Sequence, residues 1–541
     1  MANYSYPRVQ IHTKAKLHSS VGPAPADTTV LFMPLYTKKG PHNKVVPIHS
    51  ISEFANVFGV LDADSYAEMG QTALNAYNWL NNGGTLYVTR LNDYTAELYA
   101  KYYKNNGTSI SDLDLGLEAK YIGEYYTGLD IIVSGIGTAT ASPKVLVIVK
   151  EGRNELERFT LSEKNFETVL GTSEYLRASA STTSYATFVS NLALCGVFTV
   201  SGAGVDAKYT ASTATKFSNK DFVPAGEDAP TKVTFTSALD AFWTTADTPV
   251  AGTAQALISN RLETPIDIIM DAGYPNSVKQ KMVAFIDNRA DEMTGDVDSI
   301  RPDIVGIFDT SNNGTHFEYT DVDANIFSIG EKNEDTSHTK GGRNIAVYTQ
   351  LFDITDEILT DRDIEVTATY FLSKLLPYND LAHGVQFPTA GIRRGILDDA
   401  KGVNENPSPD KKEALFRARV NYVEKTSREY AFMSQRTYDH SSEEEYTALS
   451  FLNNVRALEK MKKELERLGR NYLFEFNDSV TLTQMSNILN KYMTDWVTNR
   501  TLNLAVVAVN KNPYSEEAVD ITLNIRFNGT IEVISVDITI E

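Results

Sequence analysis

Apolar and polar positions follow two different rhythms along this chain. Thr28 to Leu35 and Val45 to Ile48 are apolar runs of strand length, and the residues after them have helical spacing. Ser50-Ile51-Ser52-Glu53 carries capping-box spacing ahead of Phe54, Val57 and Phe58. Ser65-Tyr66-Ala67-Glu68 repeats that signal and predicts one helix with Tyr66, Ala73, Tyr77 and Leu80 inward. Asn81-Asn82-Gly83-Gly84 ends it, and Thr85 to Thr89 reads as a strand. The same alternation returns later. Ile266 to Met270 is strand-like, Ser277 to Arg289 helical and Ile304 to Phe308 strand-like again, a βαβ unit whose handed crossover predicts packing on the first segment. Asp361 to Leu376 reads equally as a helix or as a strand–helix junction.

The rhythm changes between residues 96 and 255, where Thr, Ser, Ala, Gly and Tyr dominate and short runs such as Ile131 to Val133 and Val145 to Val149 recur. Many turns and few helix signals predict a β-rich domain inserted on an exposed side. Lys401 to Asp410, polar and with two prolines, reads as a boundary loop. Beyond it, Ser442 to Glu445 caps a helix ending at Gly469, and Thr481 to Gln484 caps a second, with Leu482, Met485, Ile488, Leu489, Tyr492 and Trp496 inward. Leu502 to Val509 has the composition of a buried strand, and Asn528-Gly529 is a hairpin signal between two alternating runs. The fold class expected is multidomain and mixed α/β (α+β): a discontinuous α/β core over 25–95 and 256–400, an inserted β-rich domain over 96–255, and a C-terminal domain over 401–529.

Both chain ends read as strands. Val9, Ile11, Ala15 and Leu17 alternate with Gln10, His12, Lys14 and Lys16, so residues 1–24 form a basic arm. Ile534, Val536, Ile538 and Ile540 alternate with Ser535, Asp537, Thr539 and Glu541, so 530–541 form an acidic one. The apolar phase slips by one between Val533 and Ile534, which predicts a bulge or bend that sends the final run elsewhere. Open terminal strands invite pairing with another chain, and opposite charges favour hetero-pairing.

Charge and chemistry narrow the function. With 541 residues and 42% apolar content the chain can bury a large core, and 50 Lys+Arg against 70 Asp+Glu leave a net charge of −20. That balance argues against direct nucleic-acid binding. No run approaches a membrane span, no signal-peptide-like region follows Met1, and the expectation is assembly in the cytoplasm without membrane insertion. The single Cys195, in the apolar run Leu192 to Val197, reads as a buried inert thiol and excludes a disulfide framework. Gly135-Ile136-Gly137 and Gly202-Ala203-Gly204 lack the context of a dinucleotide loop, and the eight histidines form no zinc spacing, so no cofactor is expected. The one enzymatic alternative is a metal-dependent α/β hydrolase using Asp271 and Asp309, each at the end of a βαβ strand. A carbohydrate-binding role for the Thr- and Tyr-rich insertion is the other alternative. Finally, Arg456, Lys460, Lys463, Arg467 and Arg470 recur at steps of four and three and predict a basic helical stripe.

Several separated stretches resemble the sheath protein of contractile phage tails, a family that includes tailocin and type VI secretion sheaths. They are Ile48 to Phe54 with Phe58-Gly59, Asn82-Gly83-Gly84 through Leu91, Pro388-Thr389-Ala390-Gly391 with Arg394-Gly395, and Phe474-Glu475-Phe476-Asn477. Thr389 enlarges the family's Pro-Ala-Gly loop and Phe476 replaces a proline, but the order is kept. The likeness covers about the first 95 residues and from about 260 to the end. It implies a non-enzymatic subunit of a helical sheath of stacked rings, part of a virion's contractile tail. Its partners would be copies of itself, a tail tube, and baseplate and terminator proteins. It also implies that the insertion lies outside, that 401–529 lies inside, that the basic stripe faces the tube, and that the arms link neighbouring subunits.

Overall fold

The computed structural model describes residues 29–94, 99–105, 110–140, 142–202, 207–219, 231–244, 252–261, 263–286, 301, 303–327, 342–426, 429–439 and 447–530. Both predicted arms lie almost wholly outside these residues, including Val9, Ile11, Ala15, Leu17, Ile534, Val536, Ile538 and Ile540.

A seven-stranded sheet forms the centre. Its spatial order is Val45–Ile48, Thr85–Arg90, Val30–Leu35, Ile268–Met270, Val305–Asp309, Ile345–Tyr348 and Val420–Asn421. Every pairing is parallel except that of the first strand with the second. Strands covered on both faces must be apolar throughout, and Val30–Leu35 and Val305–Asp309 are buried along nearly their whole length. Ser50 caps the helix Ile51–Phe58 by accepting from Glu53 N, while Glu53 takes the His49 N–H at 2.7 Å. The helix predicted from Ser65 is two helices, Ala63–Met69 and Gln71–Asn81. Asp62 is the N-cap, Ser65 completes the capping box, and Gly70, at φ 57°, makes the break that a side chain would strain. The ambiguous 361–376 segment is a strand–helix junction, Arg362–Thr367 followed by Ala368–Ala382.

The insertion is an independently cored β unit. Its seven-stranded antiparallel sheet runs Leu176–Ala178, Ile110–Ile122, Tyr99–Asn105, Thr215–Ser218, Leu129–Ile136, Lys144–Glu151, Asn154–Leu161. Leu129, Ile131 and Val133 alternate inward opposite Val145, Val147 and Val149, and Phe188 and Leu192 of the helix Tyr185–Leu194 join the same cluster. Cys195 is buried there, and burial pushes its thiol up to about 11, as fits an inert side chain.

Packing moves two of the expected boundaries. The insertion's cluster spans Ala100 to Phe217, whereas Phe235, Leu239, Phe242, Trp243 and Ile258 belong to the main core. Phe242 and Trp243 lie against Phe32 at 5.9 and 6.1 Å between rings. The β-rich unit therefore ends before residue 231 rather than at 255. Its ends meet: Tyr94 bridges Lys232, and Val233 N donates to Asp93 O at 2.9 Å. The Lys401–Asp410 stretch is not a boundary either. Val420–Asn421 is a strand of the central sheet, and Leu415, Phe432, Leu452, Val455, Trp496 and Phe527 share the main cluster with Leu31 and Val88.

Candidate assembly interface

Each candidate surface is built by an element the sequence signalled, but the structure redistributes their roles. The C-terminal strands come first. Leu502–Lys511 pairs antiparallel with Val519–Phe527 in a hairpin that closes through residues 512–518, while the second run of the hairpin expected at Asn528-Gly529 lies outside the described residues. Asn528 ties the end of the second strand back, its N–H donating to Thr501 O at 3.1 Å. A two-stranded ribbon is marginal in water, and this one is held by Leu502 and Phe527, both buried, with Ala505, Val507, Leu523 and Ile525 half-buried against the core. Its other face exposes Leu504 and Val506. The expectation of a buried strand fails here because the ribbon is covered on one side only. Among the described residues no strand pairs with either outer edge, so two rows of backbone donors and acceptors face outward.

The basic stripe divides. The helix runs Leu452–Arg470, starting later than the Ser442-to-Glu445 signal predicted, and residues 440–446 lie outside the described set. Its first turns are buried all round, so the stripe's leading cations point into the molecule. Arg456 pairs with Asp380 in the core, and Thr29 donates to the same carboxylate. Lys463 donates to Asp267 at 2.9 Å and stands 3.7 Å from Asp303, which Arg301 grips through two bonds at 2.8 and 2.9 Å. Val30 N donates to Asp267 at 2.9 Å. Burial alone would raise Asp267, but Lys463 and that N–H hold it below the usual carboxylate range. Lys460 lines the same cleft beside Thr29 and Glu459. Arg456, through Asp380 and Thr29, and Lys463, through Asp267 and Val30 N, therefore anchor residues 29–30 to the long helix, and of the stripe only Arg467 and Arg470 are exposed, paired with Glu464 and Glu466. The expectation of one continuous tube-facing stripe is corrected accordingly. Helical spacing shows that cations share a face; it does not show which acids other elements bring to that face.

Beyond Arg470 the chain presents a surface that periodicity did not flag. Phe474 and Phe476 are 91% and 83% exposed, and Phe474 holds φ 69°, a conformation costly for a bulky residue. Asn477 bonds to Glu516 O at 2.7 Å and brings this loop beside the hairpin turn, whose Tyr514 is 90% exposed. A groove of about 320 Å³ lined by Leu468, Tyr472, Thr481 and Ile488 lies next to it. The next helix, Ser479–Thr498, is capped by Asp478 rather than Thr481.

The hydrolase alternative fails on geometry. Asp271 and Asp309 do converge, but the Lys279 ammonium lies between them, paired with Asp271 and 2.8 Å from Asp309 Oδ1. All three side chains are buried, and Tyr274 N (2.8 Å), Gly273 N (3.1 Å) and Ser311 N (3.0 Å) fill the remaining carboxylate lone pairs. Burial, with Asp309 second, pushes Asp271 up to about 7 against the pull of Lys279. A lysine thus occupies the cation position of the expected metal pair, and the site has no access for substrate. The βαβ spacing located the two aspartates; the lysine, in the first turn of the intervening helix Asn276–Ile286, carried no signal of its own.

No family model matches this sequence. No curated protein matches it either. Solved structures do. The sheath tail protein of Listeria innocua aligns over 95% of this chain and 94% of its own, with TM-score 0.55 and 13% identity. The sheath tail protein of Desulfitobacterium hafniense aligns over 96% and 100%, with TM-score 0.47 and 12% identity. The contracted helical sheath of the anti-feeding prophage aligns over 100% and 99%, with TM-score 0.47 and 10% identity. The central sheet, the inserted β unit and the C-terminal hairpin together have the fold of a sheath tail protein.

Proposed function

We propose that this chain is the structural subunit of a contractile tail sheath, polymerising around a tail tube in a metastable extended state and contracting to drive the tube through a bacterial envelope. The observation that carries this reading is the full-length fold match to a sheath tail protein. In it no bond is broken; energy is held in contacts between subunits and released when they repack. The assembly's remaining partners would be the tube, baseplate and terminator proteins, in a virion tail built in the host cytoplasm.

Linkage of subunits falls to the chain ends. The hairpin Leu502–Lys511/Val519–Phe527 offers two open edges, and residues 1–24 and 530–541 have strand periodicity and opposite charge. Strand addition from neighbours would complete the ribbon and stay intact while the bodies rotate, since backbone pairing is independent of their packing. Arg467 and Arg470 are the cations of the stripe left to meet an acidic tube, through exposed contacts weak enough to release. Electron microscopy of the full chain should show helical tubes. Deletion of 1–18 or 530–541 should give folded, soluble monomers, and normal contractile tubes from either deletion would refute the linkage.

A further inference from the structure

The helix Ala368–Ala382 leaves Tyr378 and Leu381 exposed, three residues apart on one side. Asn379, between them, donates to Arg394 O at 2.9 Å and fixes the loop 388–395 against this end of the helix. That loop carries Ile392, 67% exposed, followed by the exposed Arg393. Arg394 donates to Pro388 O at 3.0 Å, and its guanidinium lies 5.0 Å from the Phe387 ring centre. Burial and the adjacent Arg393 both hold Arg394 below the usual arginine range. Among the described residues, neither arginine has a carboxylate partner. Exposed Tyr378 and Leu381 on the helix end, and exposed Ile392 and Arg393 on the loop bonded to that end through Asn379, thus bring apolar and basic side chains to one end of the helix in a chain of charge −20.

The same chain carries the complementary shape. Leu351–Asp356 and Arg362–Thr367 form a hairpin in which Asp353 lies directly opposite Glu365, both exposed, an arrangement that destabilises the isolated subunit. Its turn presents Glu357, Ile358 and Asp361, all exposed. The buried Asp356 carboxylate holds that turn rigid by accepting Ile358 N at 3.1 Å, Thr360 N at 2.7 Å and the Thr360 hydroxyl at 2.8 Å. The product is a preformed acidic knob with an apolar apex.

We propose that the acidic turn 357–361 of one copy docks on the Tyr378, Leu381, Ile392 and Arg393 patch of the next. Two different surfaces of one chain meeting head to tail make a contact that propagates into a ring or a helix instead of closing as a dimer. The proposal rests on the polymer reading and names a surface within it, distinct from the terminal arms. Charge-reversal variants test it. Glu357→Arg and Arg393→Glu should each keep the circular dichroism of the parent and raise the concentration needed for assembly by about tenfold, as reversing an exposed ion pair at every joint implies. Mixing the two variants should restore assembly, because each then offers the other a complementary surface, and the double variant on one chain should assemble alone. Assembly of either single variant at the parent's concentration overturns the contact, as does loss without rescue in the mixture or the double variant. If the parent itself shows no self-association by sedimentation and no tubes, the polymer reading falls, and this contact with it.

Discussion

Lys279→Met removes the ammonium that sits between two buried carboxylates and keeps a side chain of similar length. Asp271 and Asp309 then remain in the core with their backbone N–H donors but without the cation. Breaking a buried pair from one side costs about 3–5 kcal/mol, because a charge is left uncompensated in low dielectric. The cost depends on pH with a sign that can be worked out. Asp271 stands at about 7 when folded, above the value near 3.9 of an unfolded aspartate. The folded state therefore binds the extra proton between those values, and the parent's stability falls as pH rises from about 4 to about 7. Without Lys279 the Asp271 carboxyl moves higher still, so the variant's deficit should be smaller near pH 5, where the lost Lys279–Asp309 pair is the main cost, and larger at pH 8. The assay is thermal unfolding of the main body at both pH values, with and without Mg²⁺. Adding Asp271→Asn to the variant should recover part of the loss at pH 8, since one of the two stranded charges is gone. A loss below about 1 kcal/mol at pH 8, or one equal at both pH values, would refute the argument that lysine holds this site together. Stabilisation of the parent by Mg²⁺ would revive the metal reading.

Two further outcomes follow from the joint between the insertion and the body. Arg90 donates to Gly40 O at 3.1 Å, Ile122 O at 2.6 Å and Thr37 O at 3.1 Å, so Arg90→Met strands three carbonyls at about 1–3 kcal/mol each if no water reaches them. Hydrogen exchange should then rise in residues 37–42 and 120–126 before it rises in the central sheet. Because Tyr94 and Lys232 are bridged, replacing residues 95–231 by a short Gly-Ser linker should leave a soluble body with the parallel sheet intact. Circular dichroism and assembly by microscopy check this, and insoluble or unfolded product would show that the β unit is needed for the core.

Local signals were dependable where a single element determines its own pattern. The strands Val45–Ile48 and Thr85–Arg90, the Ser50 cap and the βαβ order around Met270 and Asp309 were legible because burial on a sheet or helix face imposes periodicity on the residues themselves. The change to a β-rich insertion after residue 95 was legible in composition for the same reason. What periodicity could not determine was the partner across space. Arg456 and Lys463 look like a solvated stripe until Asp380, Asp267 and Asp303 arrive from other elements and turn them into buried anchors. Asp271 and Asp309 look like a metal pair until Lys279 fills the space between them. Phe235 and Trp243 look like the end of the insertion until Tyr36 and Phe32 claim them for the main core. Sequence by itself determined which elements form and in what order. Tertiary structure alone decided which charges are neutralised and which surfaces stay open, because those depend on residues far apart in the chain meeting in low dielectric.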